Sequence, residues 1–269
     1  MKNYILICFT ILCILCFSLT NNKDVFVQKQ IDYSGYANFA SFNSLLYNEY
    51  ETARFNHNYT HLEALNYVNH PNYYKFYTFP HPAIFESPKI LVNKCFYLTS
   101  NYIPNDLVDV SNYSINYVSR KTPTLLTKSA LDAYINMENA AKNDGIELLL
   151  FSAYRSFSRQ DELYYDINNC NDQTVARPGF SEHQTGLALD ISTPHYGLTT
   201  LFENSSSFKW LINNCRKFGF ILRYPKGKEH ITGYNYEPWH FRYVGDIAIF
   251  IDSTLEEYYF SNYELPVFN

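Results

Sequence analysis

The sequence predicts an α+β fold, a mainly antiparallel sheet flanked by helices. Two observations carry that reading. Segments with helical spacing of apolar residues alternate irregularly with short apolar runs of strand length. Several of those runs are separated by hairpin-type turn residues, not by the long crossovers a parallel sheet needs. Composition sets the outer bounds. The chain has 269 residues, 46% of them apolar, enough for one core with appendages. Aromatics reach 18%, chiefly 26 Tyr and 21 Phe, which argues against a disordered chain. A net charge of −5 with no long basic run gives nucleic acid no footprint.

Residues 1–20 stand apart. Lys2 is followed by an apolar run over residues 4–19, broken only by Thr10 and Ser18. That is long for a signal-peptide core and short for a membrane span. The segment is expected to export the chain, either as a cleaved signal peptide or as an uncleaved N-terminal membrane anchor. Cys8, Cys13 and Cys16 each follow Ile or Leu, whereas a lipidation site takes a small residue there. Three cysteines remain, Cys95, Cys170 and Cys215, and an odd number cannot all pair within the chain. A Cys170–Cys215 bridge and buried free thiols are both open readings.

Residues 21–88 are polar and aromatic and read as an N-terminal extension or linker. One helix is expected over residues 62–68, opened by the capping box Thr60-His61-Leu62-Glu63. His57, His61, His70 and His81 show no ligand spacing on a clear element and read as surface or core histidines. Residues 89–269 form the expected domain. Ile90-Leu91-Val92 has strand character, and residues 102–106 form a turn. A helix over residues 127–143 presents Ala130, Tyr134, Met137 and Ala141 at helical spacing and stops at Gly145. Residues 146–151 then read as a buried strand. Ser158-Arg159-Gln160-Asp161 caps the next helix, to about Asn168.

After Gly186, Leu187, Leu189 and Ile191 alternate with Ala188, Asp190 and Ser192, the period of a strand. Ser205 to Ser207 cap a helix whose stripe is Phe208, Leu211, Ile212, Cys215 and Phe218, with Gly219 ending it. Cys215 thereby faces the core. Residues 220–224 form a strand, and Pro225-Lys226-Gly227 a turn. Trp239, Phe241 and Tyr243 alternate with His240 and Arg242 in a further strand, and residues 246–258 form a closing amphipathic helix.

Chemistry concentrates in two stretches, Ser181-Glu182-His183-Gln184-Thr185-Gly186-Leu187-Ala188-Leu189-Asp190 and Glu237-Pro238-Trp239-His240. Two imidazoles, one carboxylate ligand and one spare carboxylate are the parts of a catalytic zinc site. A turn can bring His183 beside Asp190, with His240 supplied by a neighbouring strand. Glu237 lies three residues before His240, so a regular strand would point them to opposite faces; Pro238 breaks that regularity. Arg242 suits either carboxylate recognition or a structural ion pair. His195 and His230 read as loop histidines, because three ligands are already supplied.

The pattern Ser181-x-His183-x-x-Gly186-x-Ala188-x-Asp190 followed by Glu237-Pro238-Trp239-His240 resembles the zinc D-alanyl-D-alanine carboxypeptidases of the VanY family. So do Ser152-Ala153-Tyr154-Arg155-Ser156 with Gln160, Ile231-Thr232-Gly233-Tyr234 and Arg242-Tyr243-Val244-Gly245. The resemblance covers about residues 91–258; Ala153 stands where the family usually has Gly. It implies the Hedgehog/DD-peptidase-like zinc peptidase fold. It implies one zinc ion per chain on His183, Asp190 and His240, with Glu237 as general base and then acid. Arg155 would stabilise the oxyanion, and Ser181 and Gln160 would line the substrate cleft. The implied partners are peptidoglycan stem peptides ending in D-Ala, met outside the cytoplasm at the cell wall by a secreted or membrane-anchored enzyme. L,D-carboxypeptidases of similar sequence act on tetrapeptide stems, and the ligands do not separate the two specificities. A non-catalytic wall-binding module is the rival from another class; it would be free to lose Glu237 or Arg155, and both are present.

Overall fold

The computed structural model describes residues 32–36, 42–57, 60–69, 80–167, 170–172 and 174–262. The apolar segment at residues 1–20 lies outside them. Among the described residues no helix is long and apolar enough to cross a membrane.

Helices α1 (Tyr47–His57) and α2 (His61–Asn69) pack on each other around Tyr36, Tyr50, Ala53, Ala64 and Leu65. Only α2 was legible in the sequence. The α1 segment YNEYETARFNH carries Tyr47, Tyr50 and Ala53 on its buried side and no Leu, Ile, Val or Met, so its periodicity is faint. Next come two short pairs. β1 (His81–Pro82) runs parallel to β2 (Phe96–Tyr97), and β3 (Leu107–Asp109) antiparallel to β4 (Leu125–Thr127). The strand expected at Ile90-Leu91-Val92 is reduced to a single bridge from Leu91 to Ile84. These residues are buried, and the Ile90 carbonyl is taken by the Arg242 guanidinium at 2.7 Å instead of by a strand partner.

The central sheet has four antiparallel strands in the order β5 (Leu149–Ser152), β6 (Ala188–Ser192), β8 (His240–Tyr243), β7 (Phe220–Leu222). Its register sets two different faces. Leu189, Ile191, Phe220 and Phe241 pack against α3 (Lys128–Asn143) and α5 (Ser206–Asn214), with Leu131, Tyr134, Met137 and Leu211 filling the layer. Asp190, His240 and Arg242 point the opposite way, as the period of two requires. Beyond them Leu91, Phe96, Ile221, Ile231, Ile247 and Tyr259 form a second core.

Several boundaries differ from expectation for local reasons. Ile146 belongs to the stop of α3, not to β5: its N–H closes on the Ala141 carbonyl at 2.8 Å, with Gly145 at φ +73°. α4 (Phe157–Glu162) is capped by Ser156, whose Oγ accepts from the Arg159 N–H, and Ser158 lies inside the helix. The following turn, Leu163–Ile167, widens to π geometry. Ile212 is 41% exposed and lies off the buried stripe of α5, whereas Cys215 is buried as expected. The short α6 (Glu229–Thr232) ends at Gly233. The expected closing helix is two pieces, a 3-10 segment Gly245–Phe250 and α7 (Leu255–Asn262). A capping box restarts the chain: Thr254 Oγ1 accepts from the Glu257 N–H while Glu257 Oε2 accepts from the Thr254 N–H.

Candidate metal centre and catalytic cleft

His183 sits on a 3-10 turn, Glu182–Thr185, that ends at Gly186 with φ +68°. A Cβ at Gly186 would come within 2.8 Å of Leu107 and 3.1 Å of the Thr127 methyl, so the turn and its approach to β4 both need glycine. The turn delivers the chain into β6, where Asp190 stands directly opposite His240 of β8. Glu237 and His240 share a tight turn through Pro238, closed by the His240 N–H on the Glu237 carbonyl at 3.2 Å.

The resulting geometry is compact. His183 Nε2 lies 3.4 Å from Asp190 Oδ2, and His240 Nδ1 lies 3.4 Å from Asp190 Oδ1. Ligand atoms from His183, Asp190 and His240 all fall within 4.8 Å of one another, the one such group among the described residues. Glu237 Oε2 is 3.3 Å from His240 Nδ1. The His183 tautomer is fixed by its surroundings. Its Nδ1 meets the Ala153 carbonyl at 2.6 Å, and a carbonyl only accepts, so Nδ1 carries the proton and Nε2 is left to ligate. Burial pushes the His183 imidazole pKa down. Burial opposes ionisation of Asp190, but His183 and His240 hold its carboxyl well below the usual carboxylate range. Two imidazoles, one ionised carboxylate and an open side onto a cleft are the donor set of a catalytic zinc ion. Asp190 Oδ1 is buried with no hydrogen-bond partner, as a ligand atom would be. The residues fit zinc.

The cleft has a volume of about 180 Å³ and is lined in part by Arg155, Ser181, Glu237, Trp239, Tyr224 and Tyr234. Arg155 follows β5, and its backbone N–H donates to the His183 carbonyl at 3.0 Å. Burial lowers its pKa, and the charges of Asp190 and Glu237 oppose that shift. Gln160 does not line the cleft as expected. Its side chain is buried, its Oε1 accepts from Arg155 Nη1 at 2.9 Å, and its Nε2 donates to the Ala176 carbonyl at 2.7 Å. Gln160 therefore aims Arg155 and ties it to the cleft wall. Arg242 is likewise outside the cleft: it is fully buried and its Nη1 donates to Glu182 Oε1 at 2.7 Å. His195 is exposed, and neither it nor His230 joins the ligand group. No disulfide joins Cys95, Cys170 and Cys215 to one another; Cys170 is exposed and the other two are buried.

The sequence reading missed a buried charge network below the ligands. Glu182 takes Arg223 Nε at 2.8 Å as well as Arg242, and Arg223 closes on Glu256 through both of its terminal nitrogens. Asn93 Nδ2 adds a bond to Glu256 at 3.1 Å. Burial opposes ionisation of Glu182, but Arg223 and Arg242 hold its carboxyl well below the usual range.

A three-ligand centre of this kind, opening on a cleft with a spare carboxylate and a poised guanidinium, defines a mononuclear zinc hydrolase site. Residues 123–246 match the family model VanY, described as D-alanyl-D-alanine carboxypeptidase. YodJ of Bacillus subtilis (strain 168), which carries a carboxypeptidase name, is 43% identical over 63% of this chain and 66% of its own length. A D-alanyl-D-alanine carboxypeptidase of Enterococcus faecium is 31% identical over 62% of this chain and 54% of its own. The solved LD-carboxypeptidase LdcB superposes with a TM-score of 0.58 at 42% identity, covering 64% of this chain and 85% of that one. The chain thus spans less than two thirds of the length of either of these two curated relatives. It belongs to the VanY-type carboxypeptidase family, which takes in L,D-carboxypeptidases.

Proposed function

We propose that the protein is an exported zinc carboxypeptidase that removes the C-terminal D-Ala from peptidoglycan stem peptides. The observation that carries this reading is the convergence of His183, Asp190, His240, Glu237 and Arg155 on one cleft. Zinc, when bound, supplies a Lewis acid that polarises the scissile carbonyl and acidifies water. Glu237 takes the proton of the attacking water and passes it to the departing amine. Arg155, steadied by Gln160, meets the charge developing on the carbonyl oxygen, a contribution of about 3–4 kcal/mol. Ser181 lines the cleft beside His183 and is suited to a hydrogen bond with the peptide. A wall-binding module without catalysis has no use for Glu237 beside the ligands, since closed structural zinc sites need no spare base.

The first reading of specificity is D,D: pentapeptide stems ending in D-Ala-D-Ala, in keeping with the VanY description. The second is L,D, acting on tetrapeptide stems, and the 42% identity to LdcB favours it. Incubating the zinc-loaded protein with each stem and weighing the products decides between them. Loss of one Ala from the pentapeptide alone supports D,D, and loss from the tetrapeptide alone supports L,D. No cleavage of either sinks the carboxypeptidase reading. We infer for it the frame of Hedgehog signalling domains, and residues 1–20 would carry the chain to the wall as signal or anchor.

A further inference from the structure

The two histidine ligands face unlike outer partners. His183 leans on a backbone carbonyl through Nδ1 and presents Nε2. His240 is reversed: its Nδ1 faces Asp190 and Glu237, and its Nε2 points away from the cleft. That Nε2 is buried and has no hydrogen-bond partner. The group facing it is Glu182 Oε2, at 3.7 Å, which is also buried without a hydrogen-bond partner. Both guanidinium contacts to Glu182 fall on the other oxygen: Arg223 Nε at 2.8 Å and Arg242 Nη1 at 2.7 Å both reach Oε1. The Glu182 carboxylate is thus divided, one oxygen anchored twice and the other left aimed at the imidazole.

A neutral imidazole carries one N–H, and the nitrogen that ligates a metal must be the bare one. If Nδ1 ligates, Nε2 must hold the proton, and a buried N–H needs an acceptor. We propose that Glu182 is the positioning residue that accepts the His240 Nε2–H, fixing that tautomer and freeing Nδ1 for the metal. The ring is also held sideways, by Tyr224 at 4.7 Å between centroids and by His183 at 5.0 Å. The two arginines keep the carboxylate in place: Arg242 lies on the same strand and face as His240, and Arg223 comes from the loop after β7. Glu182 takes both arginines and Glu256 closes on Arg223, so Oε2 faces His240 from within a buried, hydrogen-bonded cluster. Glu182 does not line the cleft, and its Oε2 faces His240.

This inference rests on the metal assignment and not on which peptide is cleaved. The test compares Glu182→Gln with Glu256→Gln, because each replaces one carboxyl group of the same buried cluster by an amide. In Glu182→Gln the amide oxygen stays with the guanidinia and turns an N–H toward Nε2–H, where two donors meet. Zinc affinity, measured by competition with a chromophoric chelator, is expected to fall about 10- to 100-fold in Glu182→Gln. It is expected to stay within about twofold of wild type in Glu256→Gln, whose carboxylate lies beyond Arg223. Equal zinc affinity in Glu182→Gln and wild type, or equal losses in both variants, overturns the proposal. Nitrogen-15 NMR of the zinc-loaded wild type, labelled at histidine, decides it even if the variants fail to fold. The expected spectrum has His240 protonated on Nε2, with a slowly exchanging, low-field proton. A proton on His240 Nδ1 overturns the proposal. A wild type that takes up no zinc instead removes the metal assignment itself, a failure read separately from these.

Discussion

Glu237 Oε2 lies 3.3 Å from His240 Nδ1, although three residues would separate them to opposite faces of a regular strand. The turn through Pro238 cancels that separation and puts the Glu237 carboxylate beside the His240 imidazole. Glu237 is 15% exposed on its side chain, so it can meet water, while the His240 side chain is 5% exposed. Replacing Glu237 by Ala therefore leaves the three ligands in place. Zinc content of Glu237→Ala should match wild type, and peptide hydrolysis should fall by about 10²–10⁴-fold. Cleavage at the wild-type rate by that variant would remove Glu237 from the mechanism.

Gln160 supplies a quantitative check on Arg155. Arg155→Ala should lower kcat about 10²–10³-fold, as for loss of an oxyanion-stabilising group. Gln160→Ala should act in the same direction and by less, because it loosens the guanidinium without deleting it. Combining the two should cost no more than Arg155→Ala alone. Steady-state kinetics on the single and double variants reads this directly, and additive losses would show that Gln160 acts elsewhere.

The cluster of His183, Asp190 and His240 and its strands were legible in the sequence because each motif is local. A Gly turn, a period of two and a Pro bend each leave a mark within ten residues of the ligands. The charge network was not legible. Glu182, Arg223, Arg242 and Glu256 lie far apart along the chain, and nothing in their local surroundings marks them as partners. Of the two roles the sequence offers Arg242, substrate carboxylate or structural ion pair, the fold gives it the ion pair, with Glu182. Gln160 belonged to a motif whose form pointed to the cleft, whereas its contacts point to Arg155. The α1 segment hid because tyrosines replace the aliphatic residues that give periodicity its contrast.

The thiols give a test that depends on pH. Burial pushes both Cys95 and Cys215 up to about 12. At pH 9 an alkylating agent reaches an exposed thiol, whereas a buried and protonated one is shielded. Of these three cysteines, iodoacetamide at pH 9 should label Cys170 alone in the folded protein, and mass spectrometry of the digest reads the sites. The same shifts carry a sign for stability. The two buried thiols stay protonated in the fold and ionise in the unfolded chain. Their contribution is fully present below about pH 8.5 and is lost as pH climbs toward the folded value. Rapid labelling of Cys215 in the native protein would contradict its place in the core.

Zinc removal should be visible in stability as well as in activity. Metal bound to the folded state alone stabilises it by about 4 kcal/mol at a free concentration a thousand times the Kd. A chelator should therefore lower Tm by roughly 10 °C for a domain of this size, and re-adding zinc should restore both Tm and hydrolysis. An unchanged Tm with full loss of activity would mean that the ligands hold their arrangement without help.

The direct pairing of Asp190 with His240 across β6 and β8 has a mechanical consequence. A metal held between them rivets the two middle strands of the sheet, and His183 extends the rivet to the turn that feeds β6. The amide hydrogens of Leu189 and Phe241, beside the rivet, should then exchange slowly with metal and faster without it, while those of α1 and α2 do not respond. The sheet's centre and the reaction share one fastening, so a substitution that tunes either is felt by both.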